Sequence, residues 1–187
     1  TRKLILTHDF VGAAETHSLT GSAAALLLPP GVTAFWSHAT NAQAGVALFL
    51  KNSFLQQFNP HTPQSWQEPE PGRLAYLQLD GPNGALRIQV GYLQTGTNKL
   101  DYEARCGTRS RMQAATPPRH HSLTVIMADF NYVTNDLDRW DIATGAARGN
   151  KDARDEQDFH LKVTQPHGFT QLCQGQPTHS NAGTRSK

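Results

Sequence analysis

Two polar side chains follow an apolar run in the last third of the sequence. The run at 123–127 is typical of a buried strand, and it leads to Asp129 and Asn131 with Phe130 between them. Because side chains alternate along a strand, the aspartate and the asparagine lie on one side of it. A carboxylate can orient or deprotonate water, and an amide N–H can stabilise charge on a phosphate oxygen. The pair therefore favours phosphoryl chemistry.

The same polar residues also have structural interpretations. In an Asx-type turn, the side chains of Asp129 and Asn131 would cap local backbone groups. Glu15 could hold a hard divalent cation, since Mg²⁺ is commonly bound by one or two carboxylates and several water molecules. An acid in this position could equally stabilise the start of the next helix through the helix dipole. Considered singly, these residues leave both alternatives open.

The elements that position these residues are predicted from apolar runs, caps and turn residues. Buried strands are predicted at 10–14, 32–36, 46–50 and 123–127. Helices are predicted at 20–28 and 152–163, with a frayed helix at 100–112. The proline-rich stretch 59–72 is predicted to be a loop. Strands mixed with helices and hairpins, without internal repeats, predict a layered α/β or α+β domain.

The clearest hairpin in the sequence surrounds two turn signals. Apolar runs at 74–79 and 86–92 flank a segment that contains an Asp-Gly and an Asn-Gly pair. Side chains of the second run alternate between two faces, and one face carries Leu86, Ile88, Val90 and Tyr92. Tyr92 is therefore predicted to end a row that points into the core.

Composition and charge set broad bounds on this chain. The sequence has 187 residues, of which 37% are hydrophobic and 17% are charged, so one globular domain is expected. A net charge of +2 is too small to identify a polyanionic partner. Five basic residues are assigned to surface loops, where they could face a phosphate backbone or only solvent: Lys99, Arg105, Arg109, Arg111 and Arg119.

Cysteine content and hydropathy indicate the compartment. Cys106 and Cys173 do not form a CxxC zinc pattern or a disulfide framework, which fits a reducing compartment. No apolar run reaches the roughly 18 to 20 residues of a membrane span, and the first residues do not resemble a signal peptide. We expect an intracellular chain without membrane contact. Because the sequence lacks an initiating Met, it is also expected to be an excerpt from a longer protein.

Several short motifs occur along the chain in one order. Asp9 is followed, after five residues, by Glu15-Thr16-His17. The later motifs are Ala44-Gly45-Val46-Ala47, Gly72-Arg73, Val90-Gly91-Tyr92, Ala128-Asp129-Phe130-Asn131 and Phe169-Thr170. Together they resemble the endonuclease/exonuclease/phosphatase family, the superfamily of DNase I-like nucleases and retrotransposon endonucleases. Ala14 stands where that family usually has Gln, and the stretch 132–140 resembles the retrotransposon branch.

The resemblance implies a fold, a reaction and a set of site residues. The fold would be α+β, a four-layer α/β/β/α sandwich of DNase I-like type, incomplete at both ends, with residues 1–187 as a single partial domain. The reaction would be metal-dependent phosphodiester hydrolysis on DNA by a retroelement endonuclease, which would act in the nucleus. By position, Glu15 would hold Mg²⁺ or Mn²⁺ and Asp129 would orient or activate the attacking water. Asn131 would bind the scissile phosphate, and Tyr92 would add a supporting phosphate contact.

Parts of the family pattern have no counterpart in this sequence. The metal-proximal Asn of the opening strand is not visible, and the chain stops where a Ser-Arg-Ile-Asp-like strand would begin. The family's later Asp-His pair, with the general-base histidine, is therefore absent, and His179 falls before that strand. These departures keep two alternatives open: a catalytically inactive remnant with packing or weak nucleic-acid binding, and a phosphatase acting on a small phosphoester. Without the family's first and last strands, sheet edges would be exposed and the piece would be poorly stable.

Overall fold

The computed structural model describes residues 2–18, 28–39, 44–60, 65–118, 122–133, 144–146 and 152–170. In chain order the elements are α1 Arg2–Thr7, β1 Phe10–Ala14, β2 Val32–Ser37, β3 Val46–Lys51, α2 Asn52–Leu55, β4 Trp66–Glu70, β5 Leu74–Gly81, β6 Gly84–Tyr92, α3 Lys99–Ala115, β7 Ser122–Asp129, α4 Ala153–Phe159, a π-helical segment His160–Thr164, and α5 Gln165–His167. They fall into two units, Thr1–Phe130 and Asn131–Lys187. No helix in the described ranges is long and apolar enough to cross a membrane.

The first sheet contains three antiparallel strands in the order β1-β3-β2. Its central strand β3 is an unbroken apolar run, and such runs suit a strand that is covered on both faces. Val46, Leu48 and Leu50 point to one side, and Ala47 and Phe49 point to the other. The three strands predicted for this part of the chain are confirmed.

The second sheet contains four strands in the order β4-β5-β6-β7. β5 and β6 form the predicted hairpin, whose last pair is Gly81 with Gly84. β7 joins β6 in parallel, and the register pairs Tyr92 with Asp129 at the end of both strands. Parallel pairing aligns the carboxyl ends of two strands, so this register brings two predicted site residues side by side.

The two sheets pack face to face around the main core of the first unit. Alternate residues of β5 and β6 face the apolar side of β3, as the period of two predicts. The row Leu86, Ile88, Val90 and Tyr92 is buried, which confirms the predicted inward-facing row.

Helices cover the outer faces of the two sheets. On the first sheet, Ile5 of α1 packs on Ala47 and Phe49. On the second sheet, α3 lies so close that a Cβ atom at Gly91 would come within 2.5 Å of Met112 Cε. The first unit therefore has the four layers α/β/β/α, and the predicted α+β fold class is confirmed.

One predicted loop contains a strand. β4 crosses the proline-rich stretch 59–72 and pairs with β5, although Pro69 lies within it. A proline is tolerated here because β4 is an edge strand, so the missing N–H removes no internal hydrogen bond. The pairing also shifts register between Gln67 and Glu70. The loop prediction was wrong for Trp66–Glu70.

The assignment of basic residues to loops was wrong for α3, which is a full helix of 17 residues. Asn98 caps its first turn, because the Asn98 side chain accepts a hydrogen bond from the Asp101 amide at 2.9 Å. Arg105 and Arg109 are 5% and 0% exposed, so neither faces a phosphate backbone. Long arginine side chains can bury their stems while their guanidinium groups bind carbonyls, as Arg105 does with the carbonyls of Gln94 and Gly96. Arg119 lies outside the described residues.

The second unit contains the predicted helix at 152–163. It runs as α4, the π-helical segment and α5, and it ends at Gly168 in a left-handed conformation, φ 52°. Two hydrogen bonds between Val133 and Asp152, at 2.8 and 2.9 Å, fix the entry to this helix. The helix predicted at 20–28 falls almost wholly on residues that the structure does not describe.

Candidate active site

Glu15 lies directly after β1, at the edge of the first sheet. Its φ is 52°, a left-handed conformation that costs a non-glycine residue of order 1–3 kcal/mol and persists only where the surroundings impose it. Two backbone hydrogen bonds impose it here: Thr16 N–H donates to the Gly45 carbonyl at 3.1 Å, and His17 N–H donates to the Ala44 carbonyl at 3.0 Å. The Glu-Thr-His motif is thereby fastened to the Ala-Gly-Val-Ala motif.

Polar side chains hold the segment after Glu15. Thr16 Oγ1 and Ser18 Oγ are hydrogen-bonded at 2.9 Å, and Ser18 Oγ is hydrogen-bonded to His38 Nδ1 at 3.0 Å. The His38 ring stacks on Trp36 of β2. The segment that carries the carboxylate is therefore braced against two strands of the first sheet.

Gly45 and Gly72 connect the two sheets beside this segment. Gly45 N–H donates to the Gly72 carbonyl at 3.0 Å, and Gly72 N–H donates to Ser37 Oγ at 2.7 Å. A Cβ atom on Gly45 would lie 2.4 Å from Thr16 Oγ1, and one on Gly72 would lie 2.7 Å from Ala39 Cα. Both positions also have positive φ, so glycine is needed for conformation and for space.

Tyr92 connects the second sheet to Glu15. Its hydroxyl donates a hydrogen bond to Glu15 Oε1 across 77 positions of sequence. Tyr92 is 3% exposed, whereas the carboxylate-bearing Glu15 is exposed. The structure thus brings together two residues that the sequence proposed for one site.

Asp129 completes the group at the end of β7. Val125 and Met127 of the same strand pack on the core between the sheets, so the alternation puts Asp129 on their side. Its carbonyl accepts a hydrogen bond from Leu93 N–H at 2.9 Å, which continues the pairing of Tyr92 with Asp129. The negative charge of Asp129 also acts on the Tyr92 phenol.

Arg73 is a member of this group that the sequence reasoning quoted only as part of a motif. Its guanidinium carbon lies 4.6 Å from the centroid of the Tyr92 ring, and Nη2 donates to Gln94 Oε1 at 2.7 Å. A signal for it was present, because counting the hairpin pairs back from the turn places residue 73 opposite Tyr92. The inference was missed because the motif was not extended through the hairpin register.

Asn131 is the first residue of the second unit. Its φ of 52° is a left-handed conformation, which asparagine adopts more readily than most residues. Its role as a phosphate contact stays a prediction.

The pKa of Tyr92 is raised above its ordinary value of 10.0. Burial is the largest cause, followed by the hydrogen bond to Glu15 and the negative charge of Glu15, while Arg73 acts in the opposite direction and Asp129 adds to the rise. The phenol is therefore neutral near pH 7 and acts as a hydrogen-bond donor to the carboxylate.

The donor atoms of the site fit a hard divalent cation better than zinc. No group of three or more His, Cys, Asp or Glu side chains converges among the described residues, as a zinc site would require. Glu15 is an exposed carboxylate with one oxygen engaged by Tyr92, and a carboxylate keeps further lone pairs for a cation. Mg²⁺ keeps several water ligands and needs only one or two carboxylates.

Comparisons with known proteins support the fold. No protein-family model matches the sequence, and no curated protein sequence matches it either. Among solved structures, the chain is similar to an AP endonuclease from Archaeoglobus fulgidus, with a TM-score of 0.57, 17% identity, and coverage of 83% of this chain and 61% of that one. It is also similar to a variant of the 3′ phosphatase NExo from Neisseria bound to product DNA hairpin, with a TM-score of 0.56, 16% identity, and coverage of 84% and 63%.

These similarities have a definite scope. The chain has the DNase I-like fold that the motif order predicted, so the resemblance is confirmed at the level of the fold. The protein spans about three fifths of the length of each of these two solved chains.

Replacing Gly72 with Ala should destabilise the protein more than replacing Gly31 with Ala. The two glycines have similar φ values, 73° and 77°, so each variant carries the cost of a left-handed alanine, about 1–2 kcal/mol. Only at Gly72 does the new Cβ meet the backbone of Ala39, whereas none of the described residues has an atom within 4 Å of a Cβ at Gly31. The further loss at Gly72 should be about 1–3 kcal/mol. Urea unfolding of both variants measures it, and equal losses would contradict the contact.

Replacing Tyr92 with Phe should remove part of the alkaline sensitivity of the fold. Because the folded-state pKa of Tyr92 is raised, the folded protein binds its phenolic proton more tightly than the unfolded chain does. This contribution to stability is complete below about pH 10 and is lost as the pH rises through the folded-state pKa. Above about pH 10, the free energy of unfolding should fall more steeply with rising pH in the wild type than in Tyr92→Phe. The slope for Glu15→Gln should lie between the slopes of the wild type and Tyr92→Phe, because this substitution removes the negative charge of Glu15, one cause of the raised pKa of Tyr92.

Proposed function

We propose that this protein hydrolyses phosphodiester bonds in DNA with the help of Mg²⁺ or Mn²⁺. The observation that carries the proposal is the group formed by Glu15, Tyr92, Asp129 and Arg73 at one end of the two sheets of a DNase I-like fold. Two exposed carboxylates, a neutral buried phenol and a guanidinium supply metal ligation, proton transfer and charge balance together. This combination suits phosphoryl transfer, which relies mainly on positioning and electrostatic stabilisation.

Three residues of the group have direct parts in the proposed reaction, and the family resemblance adds Asn131. Glu15 holds the cation, and Tyr92 fixes the orientation of that carboxylate by its hydrogen bond. Asp129 accepts a hydrogen bond from the attacking water and takes its proton as the new P–O bond forms and the bond between phosphorus and the leaving oxygen breaks. Asn131 donates its amide N–H to a phosphoryl oxygen. The chemistry supplied by a bound Mg²⁺ or Mn²⁺ is polarisation of the phosphoryl oxygen and stabilisation of the leaving oxygen.

DNA is the proposed substrate for two reasons. The two similar structures are named as an AP endonuclease and as a 3′ phosphatase bound to product DNA, and their fold is shared by this chain. The stretch 132–140 resembles the retrotransposon branch of the nucleases, from which we propose a retroelement origin and a place of action in the nucleus. Most of that stretch lies outside the described residues.

Hydrolysis should require both a metal ion and the two carboxylates. Nicking of a supercoiled plasmid should depend on Mg²⁺ or Mn²⁺ and stop with EDTA. Glu15→Gln and Asp129→Asn should each lower the rate by roughly 10²–10⁴-fold, the usual contribution of a positioned acid or base. Glu103→Gln is the matched control, because Glu103 is an exposed acid on α3 that forms an ion pair with Lys99.

Three results would contradict the proposal. Cleavage in EDTA would exclude the metal, and full activity of Asp129→Asn would exclude the carboxylate. Absence of cleavage by the wild type with either metal would favour the inactive remnant.

DNA and small phosphoesters should be distinguished by the effect of salt. A DNA substrate touches several phosphates, so kcat/KM for a DNA duplex should fall steeply as salt rises from about 50 to about 200 mM. Hydrolysis of bis(p-nitrophenyl) phosphate, with one phosphate, should change little over the same range. If the small ester has the larger kcat/KM and DNA cleavage is insensitive to salt, the phosphatase alternative is correct.

A further inference from the structure

Arg73 contacts Tyr92 in two ways. Its guanidinium covers the Tyr92 ring at 4.6 Å, and its carbonyl accepts a hydrogen bond from Tyr92 N–H at 2.8 Å. A cation over the face of an aromatic ring is attracted by the ring quadrupole. The same guanidinium also donates a hydrogen bond from Nη2 to Gln94 Oε1 at 2.7 Å. Arg73 therefore holds Tyr92 both through its backbone amide and across the face of its ring.

We propose that Arg73 is a positioning residue, which holds the Tyr92 ring so that its hydroxyl fixes the Glu15 carboxylate. The inference rests on the phosphodiester hydrolysis proposed above. Arg73 contacts Tyr92, and Tyr92 contacts Glu15, so its effect on the reaction passes through the phenol. The positive charge of Arg73 also opposes the effect that the charges of Glu15 and Asp129 have on the Tyr92 phenol.

One of the Arg73 donors is left unsatisfied among the described residues. Nη1 is buried without a hydrogen bond in the part of the chain that the structure describes. A buried, unsatisfied N–H group is destabilising, so native proteins keep few of them and usually for a reason. A role in holding the site accounts for a cation kept at this cost.

The second sheet contains a matched arrangement away from the site. Arg87 covers the Tyr76 ring at 4.3 Å, and its Nε donates to Gln78 Oε1 at 2.9 Å. Its Nη1 also donates to the Ala115 carbonyl at the end of α3. Arg87 thus has the same kinds of partner as Arg73, a tyrosine ring and a glutamine, but its Nη1 is bonded. Among the described residues, the bond to Glu15 is made by Tyr92 and not by Tyr76. This pair separates a structural arginine from a positioning one.

The test compares Arg73→Met with Arg87→Met in the full chain, using plasmid DNA and Mg²⁺. Arg73→Met should lower kcat on the order of 10-fold, within the range that misplacement of a site by about 1 Å produces, and should leave KM within about twofold. Arg87→Met should reduce thermal stability with kcat unchanged. Arg73→Lys should recover part of the loss, because a cation returns over the ring.

A double-mutant comparison decides whether the effect passes through Tyr92. If it does, Arg73→Met should change kcat by less than about twofold when it is introduced into Tyr92→Phe, because coupled residues are not additive. The full loss, on the order of 10-fold, in both backgrounds would overturn the inference.

A measurement without catalysis keeps the inference separate from the proposed function. In protein with ¹³C-labelled tyrosine rings, the Tyr92 signal is assigned by its loss in Tyr92→Phe. Arg73→Met should shift this signal, and Arg87→Met should shift the Tyr76 signal instead. If the wild type cleaves no DNA, the proposed function fails while this spectrum still reports on Arg73. An unchanged Tyr92 signal in Arg73→Met would overturn the positioning role.

Discussion

The hydrogen bond from the Gly45 amide to the Gly72 carbonyl joins the two sheets at the point where the candidate site forms. Neither glycine has room for a Cβ atom, because Thr16 and Ala39 fill that space. The close approach holds the end of β1 beside the start of β5, and the bond between Tyr92 and Glu15 then crosses the same gap. Without this approach, the carboxylate after β1 and the phenol on β6 would stay apart, because they belong to different sheets.

The site shows how charge is balanced where water still has access. Glu15 and Asp129 are exposed carboxylates, and the neutral phenol of Tyr92 lies buried beside them. Arg73 opposes the effect of both carboxylates on the phenol. Exposed carboxylates can bind a divalent cation such as Mg²⁺ with few protein ligands, because the cation keeps several of its water ligands.

The sequence predicted the strands best where their apolar pattern was strong. β1, β3 and the hairpin of β5 and β6 were found because their pattern and their turn residues agree. A helix was expected at 100–112 and is present as α3, but the sequence failed at β4 and at the arginines of α3, where composition was misleading. Pro69 suggested a loop because an edge strand cannot be recognised before its neighbours are known. The arginines of α3 suggested a solvated surface, because burial of an arginine stem depends on the sheet below it.

The sequence by itself determined which residue types are available and on which face of each strand they lie. Residue types and faces left both a structural and a catalytic interpretation for Asp129 and Glu15. The order of motifs, which resembles the DNase I-like nucleases, made Glu15, Tyr92 and Asp129 candidates and predicted the fold. Only the tertiary structure decided which candidates meet, because the bond between Tyr92 and Glu15 spans 77 positions and depends on two sheets packing together. The same holds for Arg73, whose partner is set by hairpin register and not by any neighbour along the chain. Local pattern fixes the direction of a side chain, and packing fixes what it touches.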